Sequence, residues 1–327
     1  MVRVLSETVV ERHLDLAGLV AVVGDALVRQ AAGEVERPDR PHYPVGKGLD
    51  GPEPTGTGIA MPAYVHGADY YATKLVGVHE GNADRGLPTI NAQIALTDAR
   101  TGLPEAIVAG TTITNARTGC LGALAVRELA PDAVTLGVIG AGAQARWQTR
   151  AIATVAGLAD VRVYSPSESR HECAADLSER GLPAHAVDDP AAAVAAADVV
   201  VTATTATEPV FPASALGEET LVVAVGAFTP EMQELEPAVV EGADTVYADV
   251  PAEAVETGDF RATDLDASQL VAFGTLLGDS DREPAAGTRA VVASVGSATM
   301  DAAATAAVYR HAVEAEDGTQ VDLLPHD

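Results

Sequence analysis

Ala133-Val134-Thr135-Leu136 is an apolar run that enters Gly137-Val138-Ile139-Gly140-Ala141-Gly142-Ala143-Gln144-Ala145, and from Arg146 to Ala156 the composition turns helical, without Gly or Pro. Further short runs follow: Val161-Arg162-Val163-Tyr164, Asp198 to Thr204 after an Ala-rich helical stretch from Ala191, Leu221 to Gly226, and Thr245 to Asp249. Most are continuously apolar rather than alternating, as strands covered on both faces are. Strands that alternate with helical segments predict a parallel sheet sandwiched by helices, with ligands bound at the carboxyl ends of the strands. Ala290 to Gly296 adds a strand and a turn, and Ala298 to Ala315 an Ala-rich closing helix with a frayed acidic tail.

The first third of the chain reads differently. Leu5 to Ala32 predicts a short strand and one long amphipathic helix, and Glu34 to Pro54, rich in Pro, Gly and charge, predicts irregular structure with short extended pieces. Ile59 to Tyr64, Tyr70 to Val78, Asn91 to Thr97 and Ala106 to Ala109 are strand-like, the last two joined by the turn Asp98 to Gly102. Thr114 to Gly119 then leads into a helix from Cys120 to Leu129. Hairpins of this kind with a helix predict a mixed α+β domain.

Gly140-x-Gly142-x-x-Ala145 stands between a strand and a helix, the context a dinucleotide fingerprint needs. Gly140 allows the tight turn, Gly142 the close approach of backbone to a pyrophosphate, and Ala145 close packing of helix on strand. The helix N-terminus offers free N–H groups to phosphates. The alternative is a turn that serves packing alone. The expected fold class is α/β, a Rossmann-type parallel-sheet domain beside a smaller α+β domain. NAD enzymes place an acid after the second strand, about 20 residues past the glycines. Here Tyr164 is followed by Ser165-Pro166-Ser167, then Glu168 and Arg170. Ser165 and Ser167 can donate to a 2′-phosphate and Arg170 can neutralise it, which favours NADP(H) over NAD(H), with Glu168 a rival ribose ligand.

Charge narrows the partners. The formal net charge is -27, and the acids are scattered rather than massed in a tail. Such a surface stays hydrated and soluble in strong salt, where screening cancels its self-repulsion; a basic partner is the other reading. No basic stripe is present, so nucleic acid is not an expected partner. Leu14 to Ala32 is apolar but carries Asp15, Asp25 and Arg29, which predicts a surface helix and no membrane span. No basic segment followed by an apolar core opens the chain, so a cytoplasmic protein is expected. Cys120 and Cys173 lack metal-ligand spacing and predict neither a disulfide nor a metal site. Lys47 and Lys74 are the only lysines among 20 fixed cations. Lys74 lies inside an apolar strand, where an unpaired ammonium costs several kcal/mol. It either serves a site or snorkels to the surface.

Met61-Pro62-Ala63-Tyr64, Thr73-Lys74-Leu75-Val76, Ile113 to Thr118, Gly140 to Ala145, Thr205-Ala206-Thr207-Glu208-Pro209, Ala224 to Ala227 with Glu234-Leu235, and Ser294-Val295-Gly296 with Asp301 occur in one order over nearly the whole chain. In these pieces the chain resembles the ornithine cyclodeaminase/mu-crystallin family of NAD(P)-dependent enzymes. The resemblance implies a homodimer, a substrate-binding and dimerisation domain from residues 1–118 and 297–327, and a dinucleotide domain from 119–296. It implies that Arg40, Lys74 and Arg117 hold the carboxylate of a small imino or amino acid, with Arg37 a neighbouring rival of Arg40. Arg117 could instead cap a helix or pair with a carboxylate. In the same reading Lys74 doubles as the catalytic group. Cofactor contacts are implied at Thr118, Gly140, Gly142, Gln144, Ala145, Thr204, Ser294, Val295 and Gly296, beside Ser165, Ser167 and Arg170. Ornithine cyclodeaminases carry Asp where Phe228 stands and Glu where Ile59 stands, so a diamino acid fits poorly unless Glu231 or Asp84 supplies the acid. The expected activity is reduction of a small cyclic imino acid, a ketimine reductase with Phe228 on its apolar wall. Alanine dehydrogenase follows, then ornithine cyclodeaminase, with a non-catalytic NADP-binding protein as the rival of another class.

Overall fold

The computed structural model describes residues 1–49, 51–279 and 288–323, the Ala83 side chain excepted. Asp50 in the irregular stretch and residues 324–327 of the acidic tail lie outside them. The chain forms two compact units, one of Met1–Asp15, Gly33–Arg117 and Ala298–Asp327, the other of Leu16–Ala32 and Thr118–Ser297.

In the first unit the sheet order is Thr319–Val321, Val2–Leu5, Pro104–Ala109, Ile90–Asp98, Tyr70–Val78, Gly56–Val65 and Val35–Glu36, with His42–Val45 also paired to Gly56–Val65. Val2–Leu5 runs parallel to Pro104–Ala109, and its other partner is antiparallel. The period-2 pattern places Ile59, Met61, Ala63 and Val65 in one buried row, with Ala72, Ile94, Leu96, Ala106 and Val108 beside it. The Ala298–Glu314 helix packs on the strands Gly56–Val65 and Tyr70–Val78.

The second unit is a parallel sheet in the order Ala184–Ala186, Gly157–Tyr164, Ala133–Ile139, Val199–Thr202, Leu221–Ala224, Ala290–Ala293, Thr245–Ala248, Val271–Ala272. After Ala133–Ile139 the chain builds outward to one side, then returns to the other with Val199–Thr202. The Gly140–Gly142 turn therefore opens at the reversal of strand order, where doubly wound sheets bind ligands. This is the Rossmann-type arrangement expected from the continuous apolar runs.

Two local expectations are corrected. The single long helix is two, Glu7–His13 and Leu16–Ala31, because Leu14 leaves helical geometry at φ -85° and ψ 105°. The second of them belongs with the nucleotide unit rather than with residues 1–118. Thr114 to Gly119 is not a lead-in but the middle of a helix, Gly110–Leu129. Packing overrides its weak propensity there: Ile113, Ala116 and Cys120 are fully buried. A Cβ on Gly119 would come within 2.7 Å of the Trp147 carbonyl oxygen, so glycine is what lets the Ala143–Ile152 helix approach. Among the described residues no helix is long and apolar enough to cross a membrane.

Candidate active site

In the first unit, Tyr70–Val78 places Lys74 between Met61 and Ile94 on the buried face of the sheet. Lys74 is only 2% exposed, so it does not snorkel. Its Nζ meets Asp301 Oδ2 at 2.6 Å. Asp301 comes from the first turn of the Ala298–Glu314 helix, and its Oδ1 accepts from Arg117 Nε at 2.9 Å. Arg117, 4% exposed, thus pairs with a carboxylate, yet its Nη1 is buried and makes no hydrogen bond. Two buried cations share one carboxylate. Burial pushes the Lys74 ammonium down to about 8 against the pull of Asp301, and Arg117 and then Arg40 push it the same way. Burial alone would raise Asp301, but Arg117 and Lys74 hold it below the usual carboxylate range. Arg40, half-buried, is therefore within electrostatic reach of Lys74. Surplus positive charge beside an unused buried donor has the chemistry to pair with a small carboxylate.

In the second unit, Gly140 has φ +112°, and a Cβ there would lie 2.4 Å from the Ala203 carbonyl oxygen. Only glycine fits such a turn. A Cβ on Gly142 would meet nothing within 4 Å, so space lies open above the turn. Gly142 caps the Ala143–Ile152 helix without a side-chain bond, and Ala145 is fully buried against the sheet. A ten-residue helix with this opening fits a pyrophosphate. Gln144 is on its first turn, and the Thr118 carbonyl accepts from Gln148 Nε2 at 2.8 Å. Asp249 organises the Ser294–Val295–Gly296 turn: it accepts from Ser294 Oγ at 2.7 Å, Val295 N–H at 3.1 Å and Gly296 N–H at 2.9 Å. After Tyr164 the hydroxyls of Ser165, Ser167 and Ser169 cluster, with 2.7 Å between the last two. Arg170 is engaged already, through Asp188 at 3.0 Å and the Ser167 carbonyl at 2.8 Å. Glu168 is largely exposed, with its Oε1 3.6 Å from Arg170 Nη2. Phe228 is half-buried in the loop after Leu221–Ala224, Ile59 is buried in the core row, and Glu231 and Asp84 are exposed.

The structure thus brings Lys74 and Arg117 together through Asp301, to which the sequence alone assigns no role. Asp301 closes one of the motif pieces, but nothing local marks it as the shared counter-ion. Asp249 has no signal in the sequence beyond its place at a strand end.

A model of the ornithine cyclodeaminase/mu-crystallin family matches residues 1–316. The chain belongs to that family. A Δ1-pyrroline-2-carboxylate reductase of Bacillus cereus is 32% identical over 282 residues, 82% of this chain and 85% of that protein. The structure of the Thermococcus litoralis Δ1-pyrroline-2-carboxylate reductase with NADH and L-proline superposes with a TM-score of 0.89 at 27% identity, covering 98% of this chain and 100% of that one. An archaeal alanine dehydrogenase dimer with bound NAD gives a TM-score of 0.89 at 26% identity, covering 99% of each chain. The family membership accounts for the order of the motif pieces and for the Rossmann-type unit.

Proposed function

We propose that this family member is an NAD(P)H-dependent reductase of small cyclic imino acids, of the Δ1-pyrroline-2-carboxylate type, with hydride delivered to the imine carbon. The observation that carries the reading is the buried Lys74–Asp301–Arg117 group, with Arg117 Nη1 lacking an acceptor. A substrate carboxylate there gives two cations two carboxylates and fixes the orientation of the adjacent Cα. Arg40 is the third carboxylate ligand. Bound nicotinamide dinucleotide supplies the hydride. Lys74, its ammonium pushed down to about 8, is the catalytic group that holds a proton for the imine nitrogen. Phe228 cannot pair a second ammonium, which supports a substrate with one nitrogen.

Residues 119–296 would hold the cofactor through Gly140, Gly142, Gln144 and Ala145, with Thr118, Thr204 and the Ser294–Val295–Gly296 turn as further contacts. Its preference is NADP(H), supported by three serine hydroxyls where NAD enzymes carry an acid; Arg170 exchanges Asp188 for the 2′-phosphate. The protein is a homodimer formed through the unit of Met1–Asp15, Gly33–Arg117 and Ala298–Asp327, a reading supported by Tyr71 and Leu75, exposed on the sheet face opposite Lys74. Free, buried Cys120 and Cys173 fit a reducing cytoplasm.

Alanine dehydrogenase is the second reading, favoured by the similarity over 99% of the chain to such a structure. Reduced-cofactor oxidation in high salt separates the two, with Δ1-pyrroline-2-carboxylate in one arm and pyruvate with ammonia in the other. Faster turnover of the cyclic imine supports the proposal. Faster turnover of pyruvate with ammonia replaces it by the second reading. Cofactor binding without turnover of either points to a mu-crystallin-like binding protein, and ammonia release from ornithine to a cyclodeaminase.

A further inference from the structure

Two loops at the carboxyl ends of neighbouring strands converge on one carboxylate, and a third rests on one of them. Glu234 is fully buried. Its Oε1 accepts from the Thr204 N–H at 2.6 Å, and its Oε2 from the Thr202 hydroxyl and the Gly226 N–H, each at 2.8 Å. Thr202 ends the strand Val199–Thr202, and Gly226 follows the strand Leu221–Ala224. The third loop is the dinucleotide turn: a Cβ on Gly140 would lie 3.3 Å from Thr204 Cγ2 as well as 2.4 Å from the Ala203 oxygen, so the turn rests on the segment Glu234 holds. Gly226 leaves room for this clamp, since a Cβ there would be 2.4 Å from Glu234 Oε1 and 2.3 Å from the Thr204 oxygen. Asp259 secures Glu234 from behind, its Oδ1 accepting from the N–H groups of Glu234 at 2.6 Å and Leu235 at 2.8 Å.

Core packing does not call for a carboxylate here. A buried charge is costly, and an apolar side chain would fill the volume. What a carboxylate does, and a neutral acid or amide does not, is accept on both oxygens with no hydrogen of its own to donate. We propose that Glu234 is the positioning residue of the cofactor-binding turn, its carboxylate locking the Thr202–Thr204 and Gly226 loops beneath Gly140 so that the dinucleotide meets a preformed site. The proposal rests on the dinucleotide-binding reading of this unit. Burial, with Asp259 adding like charge, pushes the Glu234 carboxyl up to about 7. Asp259, lifted by burial to about 6, is the titratable group that faces it; the groups presented by Thr202, Thr204 and Gly226 are neutral. As pH falls through about 7 Glu234 gains a proton, that proton must be donated, and the three donors compete for fewer lone pairs.

Titration of full-length wild type, Glu234→Gln and Thr202→Val with NADH, and separately NADPH, followed by cofactor fluorescence from about pH 6 to about pH 8.5, tests this, with thermal melts in parallel. Wild type should bind more weakly as pH falls through about 7. Glu234→Gln should bind about ten-fold more weakly at pH 8, as one lost buried hydrogen bond implies, and show no such pH step. Thr202→Val removes one donor to the carboxylate and should move the step to higher pH. A folded Glu234→Gln that binds as tightly as wild type with the same pH step overturns the proposal. If Glu234→Gln does not fold, an unshifted pH step in Thr202→Val overturns it. Wild type that binds neither cofactor at any pH overturns the dinucleotide reading itself, a failure distinct from the other two.

Discussion

Lys74 illustrates how a single residue can be read through its neighbours. One buried carboxylate holds two cations, so each group's removal has a different consequence. Lys74→Met keeps the volume, leaves Asp301 and Arg117 paired one to one, and should fold normally. It should lower kcat/KM about ten- to hundred-fold, the worth of a charge-assisted bond of roughly 1.5–3 kcal/mol. Unaltered kinetics would remove Lys74 from the site. Asp301→Asn should be the more damaging change to the fold, since Lys74 and Arg117 then face each other without a counter-ion, at a cost of roughly 3–5 kcal/mol. Adding Lys74→Met to it should recover much of the melting temperature, and additive losses in this cycle would contradict the shared-carboxylate arrangement. The pH dependence has opposite signs for activity and stability. If the ammonium is required, kcat/KM falls as pH rises through about 8. Folded Lys74 loses its proton more readily than an unfolded lysine at 10.5, so the unfolded chain binds more protons between the two values. The contribution of this group to stability therefore rises with pH across that window.

At the scale of elements, the two fingerprint glycines should separate cleanly. Gly140→Ala forces a Cβ to within 2.4 Å of the Ala203 oxygen at a φ of +112°, and should lower the melting temperature. Gly142→Ala has open space in the fold and should leave the melting temperature unchanged while raising the KM for the cofactor that fills that space. Equal effects of both on stability would make the turn a packing device. The turn was legible in the sequence because its strand, glycines and helix are contiguous. So was Tyr70–Val78, with Lys74 on its buried face, because strict alternation places every second residue. The break at Leu14 was not legible, since apolar spacing continues across it. The early start of the Gly110–Leu129 helix was hidden because its Thr, Asn and Gly residues favour other structure and are overruled by burial. The roles of the acids that organise the site, Asp301, Glu234, Asp259 and Asp249, were hidden for another reason, although Glu234 and Asp301 stand in the motif pieces. These acids are four of 47 Asp and Glu residues, and only long-range pairing distinguishes them from the solvated majority.

The whole molecule carries a formal charge of -27, and among the described residues only Glu234, Asp249, Asp259 and Asp301 of its acids are buried. Mutual repulsion among the others is screened in salt and unscreened without it. Melting temperature should accordingly rise along a series of increasing potassium chloride. A value indifferent to salt would return the acidic surface to a basic partner. The two units also carry separable halves of the proposed chemistry, a carboxylate receptor in one and a dinucleotide turn in the other. Transfer of label joins those halves in one observation. The protein, in high salt, is given Δ1-pyrroline-2-carboxylate with a reduced cofactor deuterated at both positions of nicotinamide C4, and the amino acid formed is analysed by mass spectrometry and NMR. Proline bearing one deuterium at Cα, formed by wild type and about ten- to hundred-fold more slowly by Lys74→Met, is the expected result. No proline, or proline without deuterium at Cα, would contradict hydride delivery to the imine carbon.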